Sequence, residues 1–308
     1  MTNQVSVVVP TRGDRPELIL RTLESILGNS RPPMEVVVVD QSADSESGRV
    51  VARLAAADPR VRLVRSAIVG VSHARNMGVA ATSAPVIAFT DDDCEASVDW
   101  LHGLVEAFSR NVAVGMCVGS VIPGPCDPAF GFIFGYRPPK HRYLSGRLAK
   151  LRDSGISGNM AVSRAAFIEV GGFDEMLGYG SHFPSMEDQD LTYRMLSAGF
   201  SLVHVPEASV VHNGPHDWGS SGPFIRSTYV AIGAAYTKHV RFGDWVGVLL
   251  LLNEVRLAMA NLGANLMRGR RPFGLGRLGS LLVGCYRSFE LDLGARRGLF
   301  ADDGSRGR

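Results

Sequence analysis

Cysteine is scarce in this chain. Four occur among 308 residues (Cys94, Cys117, Cys126 and Cys285), and none stands at metal-ligand spacing. So few thiols do not build a disulfide framework, and they fit a reducing compartment. Lysine is scarcer still, three against 29 arginines. Codon bias in a GC-rich genome accounts for that ratio, and no function is read from it. A large charge of one sign is also lacking: the formal balance is only +2, which argues against a general nucleic-acid binder. No stretch of about 18 or more apolar residues runs free of polar interruption, so a standard membrane span is not expected. Met1-Thr-Asn-Gln4 leads straight into an apolar strand pattern rather than a signal peptide, which points to the cytoplasm.

What is present suffices for a packed core: 45% of residues are hydrophobic and 20% charged. The length suits one large α/β domain with an appendage, or two domains. Charge is unevenly spread. From Ile225 onward there are 13 Lys and Arg against 6 Asp and Glu, an excess of +7, so the first 224 residues carry −5. The tail is therefore a candidate for anionic partners such as lipid headgroups.

Strand and helix patterns alternate in the first half. Val5–Val9, ended by Pro10, Val36–Val39 and Val86–Phe89 have the composition of buried strands, with a shorter one over Val61–Val64. Ile19, Leu23, Ile26 and Leu27 share a helix face, with Gly28 as its stop. Val50, Val51 and Leu54 mark a second helix, residues 71–81 a third and Val98–Phe108 a fourth. A further strand is expected over Val112–Val118. Such alternation predicts a mostly parallel sheet with helices on both faces, and ligands then bind beyond the strand C-terminal ends. Thr11, Asp40 and Asp91–Asp93 all fall there. Residues 123–155 read as a long loop rich in Gly, Pro and basic side chains, and order returns at Ile156–Val162. A helix is expected over Ala165–Val170 and another over Asp188–Leu196, then two short strands, Ser201–Val205 and Ser209–His212.

The most informative segment is Val86-Ile-Ala-Phe-Thr-Asp-Asp-Asp93, an apolar run that stops at three carboxylates. Three adjacent acids repel one another, and a hard cation relieves that repulsion because Mg2+ or Mn2+ prefers oxygen ligands. A solvated acidic turn is the plainer alternative. Cys94 next to them is a poor ligand for a hard cation and reads as packing.

The motifs Val9-Pro-Thr-Arg12, Val39-Asp-Gln-Ser42, Ala74-Arg-Asn-Met-Gly78, Asp91–Asp93, Gly158-Asn-Met-Ala161, Gly171-Gly-Phe-Asp-Glu175 and Glu187-Asp-Gln-Asp-Leu191 occur in order. With them, roughly residues 4–215 resemble a family 2 glycosyltransferase of the GT-A fold. The resemblance implies an inverting enzyme that moves a sugar from a nucleotide-diphosphate sugar to an acceptor hydroxyl on a glycan or lipid-linked saccharide. Cell-envelope polysaccharide synthesis is the expected setting. It implies Mn2+ or Mg2+ as cofactor, with Asp93 as direct ligand and Asp91 on the metal or a donor hydroxyl. Asp92 faces the donor sugar or caps the next helix. His212 matches an additional ligand position, and a structural histidine is the alternative; His204 reads as packing. The resemblance also implies that Asp40 accepts from the base or ribose, that Pro10, Thr11 and Arg12 line the base, and that Arg75 meets a phosphate or the base; a turn residue after the strand and a helix-surface arginine are the plainer alternatives for Asp40 and Arg75. Asp188 is the implied general base and Glu187 its acceptor-orienting neighbour, while Asn159 lines the acceptor or sugar pocket. Asp190 pairs with Arg194 four residues on. Met186 stands where family members commonly have Gly.

Competing readings are a sugar-phosphate nucleotidyltransferase, which would want a Gly-rich phosphate loop that Pro10–Pro16 lacks, and a non-catalytic scaffold, which needs neither Asp93 nor Asp188. A processive synthase lacks support, since no Gln-x-x-Arg-Trp segment is present. The expected organisation is a catalytic domain over 1–215 and a helical appendage over 216–308. In the tail, Trp245–Met267 has a broad apolar face, followed by Arg268, Arg270 and Arg271 and a second apolar run, Leu278–Val283. Either these helices pack on the domain or they lie in an anionic membrane interface as a peripheral contact on the cytoplasmic face of the plasma membrane.

Overall fold

The computed structural model describes residues 4–109, 113–152, 158–268 and 273–301. The expected strand start at Val112, the segment at Ile156, and Arg270 and Arg271 lie outside the described residues. In chain order the elements are β1 (Val5–Thr11), α1 (Pro16–Leu27), β2 (Glu35–Asp40), α2 (Glu46–Ala57), β3 (Val61–Arg65), α3 (Val71–Ala80), β4 (Val86–Thr90), β5 (Cys94–Ala96), α4 (Trp100–Ser109) and β6 (Val114–Pro123). Then come β7 (Gly131–Phe132), β8 (Arg142–Ser145), β9 (Asn159–Ser163), α5 (Arg164–Val170), α6 (Glu187–Ser197), β10 (Ser201–His212), β11 (His216–Asp217), α7 (Trp218–Arg241), α8 (Val246–Met267) and α9 (Phe273–Arg287).

One sheet of nine strands runs β3-β2-β1-β4-β9-β6-β10-β5, with β8 also on β10. β3, β2, β1 and β4 are parallel, as the alternating pattern requires. β9 is antiparallel to both β4 and β6, and β10 is parallel to β6. The valines of β1 and β2 are fully buried because helices cover both faces of the sheet. β1 runs on through Pro10, which pairs with Val39 after the ladder to β4 has ended at Val8. The two short strands expected after Ser201 are one strand, β10, with an irregularity between Val205 and Ser209 around Pro206. The long loop holds β7 and β8, of which β7 pairs with β11.

The C-terminal helices are joined to the sheet domain. Ala231, Ala234, Ala235, Val246 and Leu250 form one apolar cluster with Met176, Leu177, Phe183, Met186 and Tyr193. α7 and α9 touch backbone to backbone: a Cβ on Gly233 would lie 2.1 Å from the Leu281 carbonyl, and one on Gly284 2.0 Å from that of Val230. A buried charge network completes the joint. Lys238 of α7, with no exposed area, meets Asp174 at 2.6 Å and Asp190 of α6 at 2.7 Å. His239 and Arg194 hold the same Asp190 at 2.9 and 2.7 Å, and the Phe300 amide donates to Asp174 at 2.9 Å. Burial would raise the Asp190 carboxyl, but Lys238, Arg194 and His239 outweigh it and hold it far below the usual range.

The outer side of the tail is a different surface. Leu252, Met259, Leu282 and Tyr286 are exposed, while Glu254 turns inward and burial pushes its carboxyl up. α8 is long and apolar enough by length and composition to cross a membrane, with mean hydropathy 1.4 over Val246–Asn265 and 22% of that span buried. The expectation of no standard span rested on unbroken apolar runs; the few polar residues of α8 interrupt the run without lowering its average far.

Candidate active site

A cleft of about 760 Å³ opens at the C-terminal ends of β1, β2 and β4. Pro10, Thr11 and Arg12 line it after β1, Gln41 after β2, and Asp91–Asp93 after β4. His212 from β10 and Glu187 from α6 also face it, and Pro223 and Phe224 of α7 form part of its wall. Arg12 lies over the Tyr179 ring, 5.6 Å from its centre.

The three acids have different surroundings. Asp91 is the most open and accepts from Arg75 at 2.8 Å. Asp92 is buried and accepts from the Thr11 hydroxyl at 2.5 Å, while its backbone carbonyl takes the Thr22 hydroxyl of α1. Burial, with Asp93 and Asp91 beside it, pushes its carboxyl up to about 7 despite the Thr11 bond. Asp93 is also buried, yet His212 and Arg15 hold its carboxyl below the ordinary range against the cost of burial. The Arg15 guanidinium is in contact with Asp93. This residue was not singled out from sequence; an arginine in the loop after the first strand was the available signal.

β5 and β10 bring His212 to Asp93. The antiparallel register sets His212 opposite Cys94, and its Nε2 lies 3.5 Å from Asp93 Oδ2. His212 Nδ1 is 3.2 Å from the Phe134 carbonyl. A carbonyl only accepts, so Nδ1 carries the proton and Nε2 faces the carboxylate. Gly214 follows, and a Cβ there would stand 2.0 Å from Asp93 Oδ2. The site thus needs glycine at that position. Donor atoms of Asp93, Cys94 and His212 lie within 4.8 Å of one another. A carboxylate held ionised and an imidazole whose Nε2 lies beside it fit a divalent cation. The Cys94 thiol does not, because burial raises it well above its usual value and keeps it protonated.

On the opposite lip, α6 begins at Glu187 and Asp188. Arg75, only 1% exposed, bridges the two lips: it reaches Asp91 at 2.8 Å and Glu187 at 3.2 Å. The resemblance implied that Arg75 meets a phosphate or the base; here its bonds go to these two carboxylates. Asp188 is 9% exposed and accepts from the Gln189 amide at 2.7 Å. Burial first, then the Glu187 charge, pushes its carboxyl up to about 7 against Lys150 and Arg75. Met186, which precedes them, is the one non-glycine residue with positive φ among the described residues, at 78°. Its left-handed backbone explains why glycine suits that position.

Asp188 does not line the cleft, and two further expected site residues lie apart from it. Asp40 is fully buried, and its carboxylate already accepts from the Ser42 amide and hydroxyl, the Ser45 hydroxyl and Arg65. It shapes the turn after β2. Asn159 is fully buried in β9, where it accepts from Trp100 Nε1 at 2.7 Å and donates to the Ser120 and Ala208 carbonyls at 2.8 Å. It cross-links β9, β6 and the loop within β10 and does not line the cleft.

Comparison with known proteins bears on the fold and the family. The mannosyltransferase from Pyrobaculum calidifontis, solved with GDP-mannose and Mn2+, superposes with a TM-score of 0.61 at 17% identity, over 93% of this chain and 87% of that one. The fold is therefore of the GT-A class. Residues 6–171 match the family described as glycosyl transferase family 2, more than half of the chain, and the chain belongs to that family. A glucosyl-dolichyl phosphate glucuronosyltransferase of Haloferax volcanii is 30% identical over 187 residues, 57% of each chain. The polypeptide N-acetylgalactosaminyltransferase 10 of Rattus norvegicus is 26% identical over 231 residues, 67% of this chain. The chain spans 57% and 37% of the lengths of these two relatives.

Proposed function

We propose that this protein is an inverting glycosyltransferase that moves a sugar from a nucleotide-diphosphate sugar to an acceptor hydroxyl of a glycan or lipid-linked saccharide. One observation carries the reading. Asp91, Asp93 and His212 line one lip of the cleft, Glu187 at the start of α6 lines the other with the buried Asp188 next to it in the chain, and Arg75 bonds to both sides. Pro10, Thr11 and Arg12 edge the same cleft after β1, which supports a role for them in lining the base.

Asp188 takes the acceptor proton as the hydroxyl oxygen attacks the anomeric carbon. A carboxyl raised to about 7 is matched to proton transfer at neutral pH. Glu187, which lines the cleft and is fixed by Arg75, orients the acceptor. The bond from the anomeric carbon to the phosphate oxygen breaks, and the diphosphate leaves with the electron pair. A single displacement without a covalent enzyme intermediate inverts the anomeric centre. Asp93 and His212, with Asp91 beside them, would hold a divalent cation, Mn2+ or Mg2+, which when bound neutralises charge on the departing diphosphate.

A panel of UDP-, GDP- and dTDP-sugars with Mn2+ tests the reading through release of nucleoside diphosphate. Turnover of at least one donor, lost in Asp93→Ala, is expected. Release that needs no metal, or that survives the substitution, sinks it. The exposed apolar side of α8 and α9 and the basic excess of the tail further support peripheral contact with an anionic membrane. Co-sedimentation with anionic liposomes should fall when Arg268, Arg270 and Arg271 become Gln; indifference to lipid charge and to the substitutions removes that part.

A further inference from the structure

A second cavity of about 310 Å³ lies at the other end of α6, and it shares no lining residue with the cleft. That volume is at the low end for small-molecule sites, so it suits a small ligand. Its walls carry Arg147, Arg194, Arg296 and Arg297, against Asp244 and Glu169. Arg147 is matched by Asp244 at 3.3 Å, and Arg194 by Asp190 at 2.7 Å. Lys238 and Asp174 close the account around Asp190. Burial keeps His239, the remaining titratable group of the wall beside Tyr193, towards its neutral form. Arg296 and Arg297 are exposed and make no ion pair with a described residue, which leaves two guanidinium groups against one carboxylate, Glu169, among the remaining lining residues.

Two further observations mark the cavity as shaped for a ligand. Arg194 is 5% exposed, yet its Nη2 has no hydrogen-bond partner. A buried unpaired guanidinium donor calls for an acceptor. The segment after Arg297 is also laid tightly on Arg194: Gly298 has φ of 89°, and a Cβ there would lie 2.8 Å from Arg194 Cδ. Only glycine lets the chain after Arg297 come this close to Arg194, and the exposed Arg296 and Arg297 just before it line the same cavity. Guanidinium groups converging on one small cavity recognise phosphate through paired N–H donors.

We propose that this cavity is an anion site for a phosphate group, carried either by a small phosphorylated molecule or by a lipid headgroup. It is distinct from the donor cleft and does not depend on the glycosyl-transfer reading. The test is calorimetric titration of the full chain with inorganic phosphate, and sedimentation with phosphatidate and phosphatidylcholine vesicles. Arg296→Gln combined with Arg297→Gln is the variant, since both side chains are exposed and the fold does not rest on their charge. Affinity for phosphate, or for phosphatidate vesicles over phosphatidylcholine, should fall at least about tenfold in the variant, the loss expected for charge-assisted bonds. Binding of nucleoside diphosphate with Mn2+ should stay as in the wild type, which reports an intact fold and cleft. Phosphate binding should survive Asp93→Ala. The proposal is overturned if neither probe binds, if the variant binds both as well as the wild type does, or if phosphate binding disappears with Asp93→Ala.

Discussion

Asp188→Asn separates two consequences of one buried carboxyl. The amide keeps an oxygen that can accept from the Gln189 amide, so the local bond at 2.7 Å is retained. It cannot take a proton at neutral pH, so transfer should fall about 10²- to 10⁴-fold while nucleotide binding persists. Stability should move the other way. Asp188 has its carboxyl raised from 3.8 to about 7 in the folded protein. Between those values the folded state binds more protons than the unfolded one, so wild-type stability declines as pH rises through that window and levels off above it. Three pH units at about 1.4 kcal/mol each bound the decline at roughly 4 kcal/mol, and the amide variant escapes it. Urea unfolding at pH 4 and pH 8 should therefore show little difference at the lower pH and a more stable variant at the higher. In the wild type, the transfer rate should drop below pH 7 as Asp188 is protonated. A stability difference that does not change with pH refutes the raised carboxyl; transfer within about tenfold of wild type refutes the base.

His212→Ala should weaken Mn2+-dependent nucleotide affinity less than Asp93→Ala does, because one carboxylate ligand remains; metal titrations that overlay the wild type would make His212 structural. Gly214→Ala puts a Cβ 2.0 Å from Asp93 Oδ2, so metal-dependent affinity should fall at least about tenfold with the melting temperature nearly unchanged; an unaltered titration would mean that Asp93 needs no fixed position. Met186→Gly relieves about 1–2 kcal/mol of left-handed strain but removes a buried side chain worth about 2–5 kcal/mol, so urea unfolding should show a net loss of about 2 kcal/mol, and a gain would show that strain dominates.

Most of the sheet was readable because its strands announce themselves locally. β1 and β2 are valine-rich runs and β4 is a mixed apolar one, all three end in polar residues, and the ends of parallel strands are where a ligand site forms. The acidic triplet, His212 and the start of α6 accordingly meet at one cleft. What could not be read depended on partners far away in sequence. Asp40 is saturated by Ser42 and Ser45 nearby and by Arg65, 25 residues on, and Asn159 by Trp100 and by the carbonyls of Ser120 and Ala208, 39 to 59 residues away. Motif position alone assigned both to the substrate. α7 was expected only as an unbounded part of the helical appendage, because Gly219, Gly222 and Pro223 break the pattern of its first turns and Lys238 and His239 look like surface residues. Their burial makes sense only once Asp174 and Asp190 are seen opposite them.

That same joint has a consequence for how the molecule unfolds. Lys238 and the Phe300 amide come from the tail, while Asp174 and Asp190 belong to the catalytic half. A break between them strands two buried carboxylates away from the cation they share, an event costing several kcal/mol before any apolar contact is lost. The helices therefore cannot peel away as a module. The melting of α7 and the loss of α6, on which Glu187 and Asp188 are mounted, are one event, so unfolding of the tail would take the cleft wall at Pro223 and Phe224 and the lip at Glu187 together.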